Sequence, residues 1–276
     1  MAHMFIFGLG YTAQRLADAL KARDWTVDAT GSAGNVEFSD EAAVTCALAN
    51  ASHVLSSVPP SDGADPVLTR YGSQLGCGWL GYLSSTGVYG DADGAWVDEN
   101  SPTGTGRRTA RAAADFDWLE LGSRVFRLPG IYGPGRSALD RVTEGRANRI
   151  DMPGQVFSRV HVDDIVSGVI AGLEAEAGAY NLSDDLPASQ NAVIEEACRL
   201  TGTDMPPLLT LEEANLSPMA RGFYAENRRV ANGKAKRVLG WKPAYPDFTT
   251  GLRALKAITI PASDKTDPSA ARGVQT

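Results

Sequence analysis

Cysteine is scarce in this sequence. Cys46, Cys77 and Cys198 are scattered through 276 residues and never form a CxxC pair. That spacing excludes a disulfide framework and a zinc site, and it suits a reducing compartment, so a cytoplasmic location is expected. Histidine is equally sparse: His3, His53 and His161 lie far apart without ligand spacing, and no metal is expected. No apolar run approaches the ~20 residues of a membrane helix. The opening "MAHMFIFGLG" has no basic region before its short apolar run, so it does not read as a signal peptide. Positive charge is also in deficit, with 26 Lys and Arg against 33 Asp and Glu and a net charge of −7. Nonspecific nucleic-acid binding relies on a basic surface and is not expected.

What is present is apolar residues, at 43%, and glycine, at 29 positions, enough for a sizeable core and many tight loops. "MFIFGLG" reads as a buried strand entering a turn. "YTAQRLADALKARD" follows with Leu16 and Leu20 one helical turn apart, backed by Ala13 and Ala17. "WTVDAT", "SHVLSSVPP", "WLGYLSST", "RVFRLPGIYG" and "GAYNLSD" read as further strands, the fourth stopped by Pro129. A helix is expected around Asp65–Leu75, and another in "VDDIVSGVIAGLEA", capped by Asp163 or Asp164. Alternating strands and helices imply an α/β fold, a Rossmann-type doubly wound parallel sheet. Residues 1–133 and 159–183 are assigned to it, residues 134–158 and 184–260 to a smaller carboxyl-terminal substrate lobe, and 261–276 to a disordered tail.

The first loop reads Gly8-Leu9-Gly10-Tyr11-Thr12-Ala13, a GxGxxA pattern between a strand and a helix. Gly8 permits the tight turn, Gly10 lets a pyrophosphate approach the backbone, and Ala13 lets helix and strand pack closely. The helix amino terminus then offers N–H groups and a positive dipole to the phosphates, with Tyr11 and Thr12 beside them. This is the context in which the motif signifies dinucleotide binding. An acidic residue for the ribose diol belongs at the end of the second strand, near Thr30-Gly31-Ser32, where none stands; Asp28 comes too early. Ser32 could donate to a 2′-phosphate, which favours NADP slightly over NAD.

With "YLSSTGVYGD" added, the chain resembles the extended short-chain dehydrogenase/reductase superfamily, the NAD-dependent epimerase/dehydratase proteins. The likeness covers almost the whole chain, to about Leu255, and rests on the glycine turn, "SSTGVYGD", "FRLPGIYGPGR", "RVHVDDI", "YNLSDDLP" and "LGWKPAYPDF" in the family's order. It implies a sheet that binds NAD or NADP and a lobe that often takes nucleotide-sugars. Ser57, Val58 and Pro59 would form a loop near the cofactor, Ser84 and Pro129 would also bind it, the segment with Pro129 closing over the nicotinamide side, and Arg136 is a candidate for the substrate. The family moves a proton with a Ser or Thr, here Ser85, and with a Tyr-x-x-x-Lys pair. That pair is missing. Matching Asp115 to the acid four beyond the lysine puts Arg111 at the lysine and Arg107 at the tyrosine, four apart on one helical face. Arginine cannot be a general base, although Arg111 could hold a ribose hydroxyl or a phosphate.

Tyr132 and His161 match motif positions near the substrate, although packing and orientation of a helix are the simpler roles. Asp91, Asp93, Asp98 and Glu99 follow "VYG", and one could replace the missing base. Arg221, Arg228, Arg229, Lys234, Lys236 and Arg237 form a basic stretch whose counterpart in the family can grip a diphosphate; Arg229 is the candidate, and an ion-paired helix the simpler reading. Small molecules are the expected partners, with neither nucleic acid nor membrane, and a homodimer is compatible with the class. Two readings stand: an enzyme transferring hydride to or from a nucleotide-sugar-like or other small anion, and an NAD(P)-binding redox sensor that turns nothing over.

Overall fold

A computed structural model describes residues 2–76 and 78–259. The expected tail, 261–276, lies outside the described residues. Six strands form the central sheet: β1 His3–Phe7, β2 Thr26–Ala29, β3 His53–Ser56, β4 Trp79–Ser85, β5 Arg124–Leu128 and β6 Gly178–Asn181. Their spatial order is β6-β5-β4-β3-β1-β2. Every neighbouring pair is parallel, with Ile6 beside Ala29 and Phe7 beside Ser56. The order reverses between β1 and β3, which leaves a crevice at their carboxyl ends, where open α/β sheets bind ligands.

Helices cover both faces, as a parallel sheet requires. Helix α1 Tyr11–Lys21 buries Ala13, Leu16, Ala17 and Leu20 on one face. On the other, α2 Glu41–Asn50, α3 Pro66–Tyr71 and α4 Thr109–Glu120 pack Val44, Tyr71 and Trp118 against Phe5, Phe7 and Tyr82. A separate apolar cluster joins α5 Ala138–Thr143, α7 Gln190–Thr201 and α10 Phe248–Thr259 through Leu139, Ile194 and Leu252. Helix α6 Val162–Ala171 packs beside α1, and α8 Pro218–Tyr224 and α9 Gly233–Val238 lie between the last strands and α10 in sequence.

The structure differs from the sequence reading at several joints. Helix α3 ends at Tyr71 and tightens into a 3₁₀ turn at Gly72–Gln74. Pro129, which has no N–H for the ladder, ends β5 as expected, but the following Gly130–Tyr132 leaves the sheet as a separate strand and pairs with Arg159–His161. The cap of α6 is His161, whose Nδ1 accepts from the Asp163 amide. Asp164 turns elsewhere and accepts from the Ala244 and Tyr245 amides, at 2.6 and 3.0 Å, tying "WKPAY" to α6. Arg107 lies outside α4, which starts at Thr109 with Arg108 as its cap, so Arg107 and Arg111 do not share a helical face. No helix among the described residues is long and apolar enough to cross a membrane.

Candidate active site

Where β1 ends, Gly8 takes φ +84° and its amide donates to Thr30 Oγ1, while Ser57 Oγ donates to Gly8 O at 2.5 Å. These bonds fix the turn between β2 and β3. Helix α1 then begins at Gly10 with no side-chain cap and no acidic residue in its first turn. By contrast Asp40, Asp65, Ser137, Ser189 and Ser217 cap α2, α3, α5, α7 and α8. An uncapped N-terminus leaves amides and a positive dipole for an anion. A Cβ placed on Gly10 would meet nothing within 4 Å, so open space stands in front of that terminus. The residues present therefore fit a dinucleotide pyrophosphate.

That space is one end of a cavity of about 980 Å³. Gly10, Tyr11, Thr12, Ser57 and Pro59 line its near end, Ser84, Ser85, Arg111 and Pro129 its middle, and Tyr132 and Arg136 its far side. Gly8, Ser32 and Val58 stand behind or beside it without lining it. Ser32 is exposed on the turn after β2. Asp28 is held within β2 by His3 Nε2 at 2.8 Å and by Asn35 Nδ2 at 2.6 Å. Tyr11 bridges the near end and the far side: its hydroxyl donates to Pro134 O, and the Arg136 guanidinium lies 5.8 Å from its ring centre.

Eight arginines and no lysine line the cavity, against two carboxylates, Asp140 and Glu226. The chain has no lysine at all between Lys21 and Lys234. Arg111 is anchored from behind, its Nη1 donating to the Tyr82 hydroxyl at 2.8 Å. Tyr82 is itself stacked on Trp118, and burial pushes its phenol up to about 12. Ser85 Oγ accepts from the Gly87 amide at 3.1 Å, which leaves its own proton for a ligand. Ser84 is occupied: its hydroxyl donates to the buried Asp115 at 2.6 Å. Asp115 pairs with Arg127 at 2.7 Å, and Arg127 also reaches the Tyr89 hydroxyl, so Asp115 and Tyr89 belong to the core.

Two candidate substrate residues stand apart from the cavity. Arg229 turns away and donates to Gly94 O, and its neighbour Arg228 lines the wall instead. His161 is buried among Tyr132 and Tyr245, does not line the wall, and burial lowers its pKa. In the basic stretch, Lys234 donates to Ala179 O and Lys236 pairs with Asp185, as an ion-paired, packed segment would. No carboxylate of the loop after "VYG" lines the cavity: Asp91 accepts from the Asn227 amide, and Glu99 from the Asn181 amide. Phe223, Tyr224 and Glu226 line the wall and escaped the sequence reading. The available signal was the arginine-for-lysine bias.

Beneath the far side, Asp184 is buried, and Tyr132 has a buried hydroxyl without a hydrogen-bond partner. Burial, only partly offset by the Arg159 guanidinium, pushes Asp184 up to about 8. Between about pH 4 and 8 the folded chain keeps a proton that the unfolded chain has lost, so stability falls as pH rises through that window. Asp184→Asn should remove this slope, leaving the variant more resistant to urea than the parent at about pH 8 and close to it at about pH 4. Parallel unfolding curves at the two pH values would show instead that the carboxyl ionises freely in the fold.

No family model matches the chain. A conserved protein of unknown function from Silicibacter pomeroyi is 38% identical, with a TM-score of 0.84 over 94% of this chain and 99% of that one. A Streptomyces protein named 3-diazoavenalumate denitrifying reductase is 35% identical over 160 residues, 52% of each chain, so this chain matches about half the length of that relative. The human epimerase family protein SDR39U1, solved with NADPH, shares the fold at 15% identity, with a TM-score of 0.70 over 92% of this chain and 99% of that one. Parallel strands, a switch point and an uncapped helix behind a glycine turn give the chain a Rossmann fold. The chain shares the fold of that epimerase family protein.

Proposed function

We propose that the protein is a cytoplasmic NAD(P)H-dependent reductase acting on a small anionic substrate. The observation that carries this reading is a single cavity lined both by the uncapped start of α1 and by Ser85 among arginines. When bound, the nicotinamide supplies a hydride donor or acceptor. Gly10, Tyr11 and Thr12 would hold its pyrophosphate, with Arg136 above Tyr11 adding charge from the far side. Asp28, already bonded to His3 and Asn35, would not repel a 2′-phosphate near Ser32, which supports NADP over NAD. Residues 134–158 and 184–260 would form the substrate lobe, built on the cluster of α5, α7 and α10.

Ser85 would donate its free hydroxyl proton in a hydrogen bond to a substrate oxygen. Arg111 would place a fixed charge where the family has its lysine, and Arg107 would stand at the tyrosine. A guanidinium stays protonated at physiological pH, so neither can shuttle a proton. The carboxylates on the wall are engaged: Asp140 holds Ser137 at the start of α5, and Glu226 holds Arg107 and Arg228. Where the reduction needs a proton, it would come from water or from a wall phenol such as Tyr132 or Tyr224. The Streptomyces relative, named as a denitrifying reductase of a diazo carboxylate, fits a reductase acting on an anion.

Calorimetric titration with NADP⁺, NADPH, NAD⁺ and NADH tests the reading. Micromolar binding, tightest for the phosphorylated pair, is expected, followed by hydride exchange with small carboxylates. Binding of none of the four would remove it. Tight binding with a large gap between oxidised and reduced forms, and no exchange, would favour the redox-sensor reading, which the missing Tyr-x-x-x-Lys supports.

A further inference from the structure

At the middle of the cavity the loop before α4 meets α8. The Arg107 and Arg108 guanidinium groups lie 5.5 and 5.2 Å from the Phe223 ring centre. Glu226 is the one carboxylate among them, 2.9 Å from Arg228 Nη1 and 3.6 Å from Arg107 Nε. Arg111 follows one turn into α4, already bonded to Tyr82. Four guanidinium charges thus face one carboxylate at a half-buried wall, in a protein of net charge −7. The strain falls on Arg108: burial, and then the charges of Arg107 and Arg111, lower its pKa against the pull of Glu226. Like charges brought together out of water are costly unless an anion joins them. The start of α4 adds to the effect, because Arg108 gives it no side-chain cap.

The place has a direction as well as a charge. A Cβ on Gly87 would come within 2.8 Å of Arg108 Cδ and 3.3 Å of Ser85 Oγ, so the Arg108 stem packs on the backbone that carries Ser85. Phe223, half exposed, and Tyr224, set edge-on to Phe157, give the same wall an aromatic surface. We infer that Arg107, Arg108 and Arg228 form an oxyanion-binding subsite, separate from the pyrophosphate end at α1, that grips a carboxylate or phosphate of the substrate beside Ser85. The segment from which the family draws its proton-transfer pair is here a substrate handle. This deepens the proposed function and rests on it for the word substrate. The planar forks of arginine match either oxyanion, and the Phe223 face suits an anion carried on a flat apolar body.

The test is calorimetric titration with inorganic phosphate and, separately, benzoate, on protein saturated with NADP⁺ and on protein free of it. Saturable binding that weakens with added salt is expected, and the tighter of the two probes identifies which oxyanion the subsite prefers. Arg108→Gln should weaken that binding roughly tenfold or more, the worth of a charged hydrogen bond, while NADP⁺ affinity stays as in the parent. Arg108→Lys, which keeps charge and stem but loses the fork, should retain part of it and covers the case in which Arg108→Gln fails to fold. Arg229→Gln serves as the control, because Arg229 points away to Gly94. No saturable binding of either anion, or equal losses in Arg108→Gln and Arg229→Gln, overturns the subsite. Anion binding that needs Arg108 in a protein deaf to all four nicotinamides would keep the subsite and sink the reductase.

Discussion

Gly10→Val is expected to cost roughly 100-fold or more in dinucleotide affinity, about 3 kcal/mol, while the protein stays folded. Gly10 has φ −92°, which any residue adopts, and a Cβ there would touch nothing within 4 Å. The protein can accommodate the side chain; the ligand cannot, because the valine would stand where a pyrophosphate approaches the α1 amides. The cost to folding is that of a poor N-cap, about 1 kcal/mol, against a typical total stability of about 5–15 kcal/mol. Gly8 is the contrasting position. Its φ of +84° and a Cβ only 2.9 Å from Val58 Cγ2 make Gly8→Ala a folding defect. Titration and thermal melting of both variants separate the two roles. Undiminished binding by Gly10→Val would take the glycine turn out of the site.

The contrast between these glycines shows how far the sequence could be read. Strand, turn and helix around positions 8–13 follow from local chemistry: an apolar run, two glycines, then leucines one turn apart. Ser85, Arg111, Pro129 and Arg136, all named from the sequence, line one cavity, because topology brings the carboxyl ends of parallel strands together. What stayed hidden depends on side-chain direction. Arg228 stands just before the two-residue strand Arg229–Val230, so the two neighbouring arginines point to different sides, and only register tells which one meets the cavity. Asp163 and Asp164 pose the same problem on a helix: one stands near Arg15 at the surface, the other is buried against the Ala244 and Tyr245 amides. Asp115 was read from its distance to Arg111. Its actual partner, Arg127, comes from a strand that no local pattern links to the helix.

That pair sets the largest stability effect expected here. The Asp115 and Arg127 side chains are 2% and 4% exposed, with Ser84 and Tyr89 completing the hydrogen bonds around them. Removing one partner leaves the other charge buried and unpaired, so Asp115→Ala should cost about 3–5 kcal/mol, read as a fall in the urea midpoint. Replacing both together, as Asp115→Leu with Arg127→Met, should cost less than Asp115→Ala alone, because the desolvated charges vanish with their attraction. The pair also has a bearing on the site. It fastens α4 to β5, and through Ser84 to β4, one helical turn beyond Arg111. If that fastening aims Arg111 at the cavity, the double variant should bind benzoate and NADP⁺ less tightly even where it remains folded. A double variant as unstable as Asp115→Ala would mean that the pair stabilises the protein outright. A stable one with unaltered binding would mean that Tyr82 alone holds Arg111 in place.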